Sequence, residues 1–147
     1  MHSNTGFLDT TEDEYDRIFD INLKGMFFLS KSFVKYFLKK GRRANILNIC
    51  STHGFRSALD PYKISKWGTV GFTEGLGKAY DSEKIIVNGI APGGTATGMI
   101  GMDDKGDLSL PLPSGRASLP SEIANLAVFM LSDMGSNMIG TIVKYDR

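Results

Sequence analysis

Ser51, Tyr62 and Lys66 are the residues whose types and spacing best suit proton chemistry in this chain. Tyr62 and Lys66 stand four apart, which on a helix puts a phenol and an ammonium on one face. A nearby positive charge favours the phenolate and draws a tyrosine from its reference pKa of about 10 toward the working range of a general acid or base. Ser51 precedes Tyr62 by 11 residues and follows the apolar run 44–50. In open α/β sheets, groups that do chemistry collect beyond the carboxyl ends of the strands. A hydroxyl, a phenol and an ammonium gathered there suit proton transfer to or from a carbonyl or alcohol oxygen. The spacing alone is common, because Tyr36 with Lys40 and Tyr80 with Lys84 repeat it, and both are read as solvated helix-end pairs. Tyr62 differs in context, since it opens a helix just after a strand-ending serine.

Several elements must position these groups. Residues 1–10 read as an irregular lead-in, and Thr11-x-x-Glu14 is a capping-box signature for a helix running to about Lys40. Its apolar positions include Tyr15, Ile18, Phe19, Leu23, Phe27, Val34 and Phe37, three or four apart with occasional slips. So long a helix is expected to bend near 22–25. Residues 44–50 have the continuous apolar character of a strand buried on both faces of a parallel sheet, and 52–61 read as a loop. A second helix is expected over 62–80, with apolar contacts from Ile64, Val70, Phe72 and Leu76, then a strand over 85–91. Strand, crossover helix and strand imply a parallel unit whose two post-strand loops share one sheet edge. The stretch 92–119 is punctuated by glycines and prolines in the manner of a mobile binding loop or lid. A third helix over 121–131, opened by Pro120, and a strand over 139–143 complete an α/β pattern.

The 147 residues fit one domain, with 41% hydrophobic and 22% charged residues, near soluble globular averages. A net charge of +1 supplies no broad basic field and argues against nucleic acid or an acidic membrane as main partner. The cluster Lys39, Lys40, Arg42 and Arg43 around Gly41 reads as helix-end charge beside a glycine stop. One cysteine, Cys50, excludes an internal disulfide framework and fits a reducing compartment, with the cytoplasm as the expectation. Alternation turns Cys50 away from Ser51, so it is read as a packed thiol. Two histidines and one cysteine form no metal-ligand spacing. His53, two residues past Ser51, is a candidate for the pocket wall or a bystander.

Taken together, these motifs resemble the catalytic half of the short-chain dehydrogenase/reductase family. Asn45-Ile-Leu-Asn-Ile-Cys-Ser51 resembles the strand ending in the family's catalytic serine, and Pro61-Tyr-Lys-Ile-Ser-Lys66 its Tyr-x-x-x-Lys helix start. Val87-Asn-Gly-Ile-Ala-Pro-Gly-Gly-Thr-Ala-Thr97 is similar to its Val-Asn-x-Ile-x-Pro-Gly stretch, and Asp20-Ile-Asn22-Leu-Lys-Gly25 to its asparagine-bearing helix. Pro120-Ser-Glu-Ile-Ala-Asn125 and Ile139-Gly-Thr-Ile-Val143 resemble its last helix and last strand. The resemblance implies a partial Rossmann-like doubly wound parallel sheet of about three strands and three helices, spanning 1–147 as a single domain. It implies an NAD(P)-dependent oxidoreductase interconverting a carbonyl and an alcohol, with hydride transfer left to NAD or NADP. Tyr62 would be the general acid/base and Ser51 would bind the reacting oxygen. Lys66 would hold the nicotinamide ribose, and Asn22 a water in a proton relay. Tyr62 and Lys66 would contact the cofactor together with Pro92, Gly93, Thr95 and Thr97.

The departures are equally informative. No strand with a Gly-rich phosphate turn stands in the chain, nor does the segment that selects NAD from NADP, and Ser51 to Tyr62 is slightly shorter than the common family spacing. A second reading is therefore a catalytically silent truncated paralogue or oligomerisation module that lacks cofactor binding. The family pairs the helices at 11–40 and 62–80 across subunits, so a homo-oligomer, dimer or tetramer, is expected under either reading. The strand at 45–50 is expected to carry an unpaired edge.

Overall fold

The computed structural model describes residues 5–146. Helix α1, Glu12–Phe19, begins where Thr11 Oγ1 accepts from the Glu14 amide at 3.2 Å. It passes through a π turn, Asp20–Lys24, into α2, Gly25–Lys40. The irregularity falls where a bend was expected, and its cause is one inserted residue: the Gly25 amide donates to Asp20 O, five residues back. Gly41 ends α2 at φ 60° and returns its amide to Leu38 O and Phe37 O, the glycine stop expected there.

Three strands, β1 (Ala44–Ile49), β2 (Ile85–Pro92) and β3 (Ile142–Tyr145), form a parallel sheet in the order β1-β2-β3. Helix α3, Pro61–Tyr80, lies between β1 and β2 in sequence, and α4, Pro120–Leu131, precedes β3. Pro120 takes the first turn of α4, and Glu122 Oε2 accepts from the Leu119 amide at 2.7 Å. Alternate β1 residues serve opposite helical layers. Ala44 and Ile46 pack with Val34, Ile85 and Val87 under α2 and α3, whereas Asn45 Nδ2 donates to Leu131 O at the end of α4. The result is a sheet between helical layers, an α/β Rossmann-like fold.

Burial corrects two expectations. The strand covered on both faces is β2, in which Ile85 through Ala91 are all buried. In β1, Asn45 and Ile49 are exposed, because among the described residues β1 is paired on one side only. The second correction concerns α3. Of its expected apolar contacts Val70 and Leu76 pack against the core, but Ile64 is 40% exposed, and the sheet-facing row is Pro61, Ser65, Thr69, Thr73 and Gly77, spaced by four. Small side chains let the helix approach the sheet closely. The hydroxyls are satisfied within the helix: Ser65 donates to Tyr62 O at 2.6 Å, Thr69 to Lys66 O at 2.8 Å and Thr73 to Thr69 O at 2.7 Å. Thr73 Oγ1 also accepts from buried Asn48 of β1 at 3.0 Å.

Three further outcomes bear on the sequence expectations, and only the first departs from them. Tyr80 is not a solvated partner of Lys84 but packs against the core that holds Val34 and Val87, because α3 ends there and the chain turns under it. Tyr36 is exposed, with Lys40 Nζ 5.9 Å from its ring centre. The 92–119 stretch is not structureless, since bridges join Thr95 to Ser118 and Ser109 to Arg116, and Ala117 is fully buried. Among the described residues no helix is long and apolar enough to cross a membrane. The first four residues of the irregular lead-in lie outside the described residues.

Candidate active site

Parallel pairing in register, Ala44 with Ile85 through Ile49 with Ile90, brings the ends of β1 and β2 to the same edge. The Cys50 amide extends the ladder to Ile90 O at 2.7 Å, so Ser51 emerges beside Pro92. There a cavity of about 410 Å³ is lined by Ser51, His53, Tyr62, Lys66, Pro92, Gly93, Thr95 and Thr97. Eight of the nine residues singled out from the sequence, all but Asn22, thus share one cavity.

Each is positioned by local physics. Ser51 is buried in extended backbone, and its hydroxyl accepts from the His53 amide at 3.2 Å, which opens the short turn Thr52–Phe55. Asp60 caps α3 by accepting from the Lys63 amide at 2.9 Å, and Pro61 pre-sets the first turn, so Tyr62 leaves the helix at its mouth. Burial is the largest single influence on the Asp60 carboxyl and pushes it up, but the hydrogen bonds and ion pair from Lys63 together outweigh it and hold the carboxyl below its ordinary range. The His53 ring stands edge-on to Tyr62, with centres 5.9 Å apart. Gly93 to Thr97 are braced from outside, because the Ser118 amide donates to Gly94 O and the Ala96 amide to Ser118 O, both at 2.8 Å.

Lys66 lies one turn below Tyr62, with Nζ 5.9 Å from the phenol ring centre and 3.2 Å from Ile49 O, to which it donates. Burial pulls its pKa below the ordinary lysine value, and the nearby Cys50 opposes this. The folded state therefore binds this proton less tightly than the unfolded chain. Lys66 costs stability below its folded pKa, and the cost is relieved as pH rises from there toward 10.5. Lys66→Met should accordingly raise stability at neutral pH by roughly 1 kcal/mol and flatten that pH dependence, as read by urea unfolding across pH. A loss of stability would mean that the bond to Ile49 O outweighs the burial cost.

Asn22 stands apart from the cavity. It is buried in the π turn, where its Nδ2 donates to Ser65 Oγ at 3.1 Å, and Ser65 in turn donates to Tyr62 O. The π turn thus ties α1 and α2 to the backbone of the tyrosine's own turn. Cys50 is buried, with Sγ 3.8 Å from Thr69 O and from Thr73 Oγ1, and burial pushes its thiol pKa up. Trp67, next to Lys66 in sequence, lies outside the cavity and donates from Nε1 to Arg56 O at 2.6 Å. Successive helical residues point about 100° apart.

The cavity also contains residues that sequence reasoning missed. Arg56, Met99, Ile100, Leu112 and Asp146 line it from three separate segments. None carries a local motif, and only the fold brings them together.

The family model described as short chain dehydrogenase matches residues 1–107. The chain belongs to the short-chain dehydrogenase family. Within that family it is 35% identical over 136 residues to an uncharacterized oxidoreductase, YohF, of Escherichia coli strain K12, covering 89% of this chain and 53% of that one. A putative 2-deoxy-d-gluconate 3-dehydrogenase from Agrobacterium tumefaciens with bound NADP superposes with a TM-score of 0.89 at 28% identity, over 99% of this chain and 62% of that one. A 3-ketoacyl-(acyl-carrier-protein) reductase from Brucella melitensis complexed with NADH gives 0.86 at 26% identity, over 99% and 61%. The chain spans about half the length of the curated short-chain dehydrogenase relatives it matches.

Proposed function

We propose that this chain is the catalytic portion of an NAD(P)-dependent oxidoreductase that interconverts a carbonyl and an alcohol on a small molecule. The observation that carries the reading is the convergence of Ser51, Tyr62 and Lys66 with the 92–97 loop on one cavity at the carboxyl edge of a parallel sheet. Tyr62 is the general acid/base, giving a proton to the developing alkoxide in reduction or taking one from the alcohol in oxidation. Ser51 holds the same oxygen by a hydrogen bond, and its extended backbone and buried setting keep it in place. Asn22, anchored through Ser65, steadies the tyrosine's turn and is the proposed holder of a relay water.

The donor set fits a nicotinamide nucleoside. Lys66 Nζ and the Tyr62 hydroxyl suit ribose hydroxyls, and the Thr97 hydroxyl with the backbone of Pro92, Gly93 and Thr95 suits a carboxamide. When bound, the nicotinamide would supply or accept the hydride, and the chain supplies orientation and the proton. Relatives in complex with NADH and with NADP support either cofactor. Met99, Ile100 and Leu112 give the 98–119 stretch a wall of the cavity, consistent with a cover over the substrate. Phe27, Phe28, Phe33 and Tyr36 on α2 are exposed. So much exposed aromatic surface on α2 supports self-association through α2 and α3.

The test is a titration of the chain with NADH and NADPH, following energy transfer from Trp67, its one tryptophan. Saturable quenching with sensitised nicotinamide emission is expected for at least one of them, since transfer requires proximity rather than contact. Folded protein that gives no transfer with either cofactor would sink this reading and leave the association module in its place.

A further inference from the structure

One pair of opposite charges at the cavity takes no part in the chemistry proposed above. Arg56 follows the Thr52–Phe55 turn and Asp146 follows β3, and they meet where both line the cavity, with Nη2 3.3 Å from Oδ2. A guanidinium offers five N–H donors in a planar fork that matches a carboxylate two by two. Arg116 shows that saturated form in this same molecule, with Nη1 3.0 Å from Glu122 Oε2 and Nη2 2.6 Å from Oε1. Arg56 makes a longer, one-pronged contact, and its side chain is 62% exposed against 17% for Asp146. The side chain of Arg56 is therefore mostly open to solvent beside the cavity it lines.

The two partners are held very differently. The backbone of Arg56 is fixed, its amide donating to His53 O at 3.3 Å and its carbonyl accepting from Trp67, so only the side chain is free to move. Asp146 is packed over Gly93, where an added Cβ would overlap the carboxylate. The cavity's other nearby cations are occupied: Lys66 lies on Ile49 O, and Lys144 sits with Nζ 4.2 Å from the Phe55 ring centre.

We infer that Arg56 is a specificity residue that receives a carboxylate carried by the substrate, and that Asp146 is the internal carboxylate engaging it when no acid is bound. The inference rests on the proposed reading of this cavity as a carbonyl/alcohol site, and it names the substrate class as oxo and hydroxy acids. A substrate acid can take both prongs of the fork, where Asp146 takes one. A neutral substrate gains nothing from Arg56.

The test needs neither cofactor nor turnover. The chain is titrated at low ionic strength with 3-oxobutanoate, 4-oxopentanoate and 5-oxohexanoate and with the methyl ester of each. Binding is followed through Trp67 emission, because that indole is bonded to the Arg56 carbonyl, and by amide NMR shifts. At least one acid should bind about tenfold more tightly than its ester. Arg56→Gln should abolish the preference, Arg56→Lys should restore part of it, and Asp146→Asn should strengthen acid binding severalfold. Equal affinity for acid and ester in every pair, no saturable acid binding, or a preference that survives Arg56→Gln would each overturn the inference. A failure here leaves cofactor transfer from Trp67 intact, and a failure of transfer leaves the acid preference intact, so the two results are read separately.

Discussion

Tyr62→Phe should lower turnover by about two to four orders of magnitude, the range supplied by a positioned general acid or base, with little change in stability. Tyr36→Phe and Tyr80→Phe should leave turnover nearly unchanged, although all three tyrosines have a lysine four residues on. The structure supplies the reason. Tyr62 lines the cavity with Ser51, whereas Tyr36 is exposed on α2 and Tyr80 packs its ring into the core beside Val34. Removing the phenolic oxygen at Tyr62 keeps the ring against His53, so the change isolates proton transfer from packing. Nicotinamide absorbance with a carbonyl substrate is the readout. Comparable losses at all three positions would refute the assignment of Tyr62.

Gly77→Ala should destabilise the fold by about 3 kcal/mol or more, near the upper end for overpacked sites. A methyl group there would lie 2.6 Å from the Gly140 backbone and 2.7 Å from Val87 O. Both obstacles are main chain, on β2 and on the approach to β3, and neither yields by a rotamer change. The expected fall in melting temperature is on the order of 10 °C. Gly71→Ala and Gly75→Ala lie on the same helix and are the controls, since nothing stands within 4 Å of a Cβ at either. Each should stabilise by roughly 0.5–1 kcal/mol through helix propensity. If Gly75 and Gly77 respond alike, α3 does not sit on the sheet as closely as described.

The contrast between neighbouring glycines marks where sequence reading ends. Periodicity and capping located the strands and helices of the sheet to within a few residues, because an N-cap such as Thr11, or a stop such as Gly41, acts through the local backbone. The order Ser51, Tyr62, Lys66 and Pro92–Thr97 was legible for the same reason, since each motif is short and contiguous. Which face of α3 meets the sheet was not legible. Apolar content pointed to Ile64, Val70, Phe72 and Leu76; Val70 and Leu76 do pack against the core, but Ile64 is 40% exposed and the row against the sheet is Ser65, Thr69, Thr73 and Gly77. Hydroxyls that bond the helix's own carbonyls cost little to bury, and their small size lets the backbones approach.

The sequence by itself determined the parallel strand-helix-strand unit and the residue types delivered to its carboxyl edge, because strand period, helix caps and motif spacing are properties of neighbours along the chain. Only the tertiary structure decided that β2 is the fully buried strand and β1 a partly exposed one, and that Asn22 is bonded to Ser65 and stands apart from the cavity wall. It also decided that Arg56 and Asp146, separated by 90 positions, face each other at the cavity. Such pairs carry no periodic or local signal. Their meeting is fixed by strand order and register, which come from burying apolar faces over the whole sheet at once.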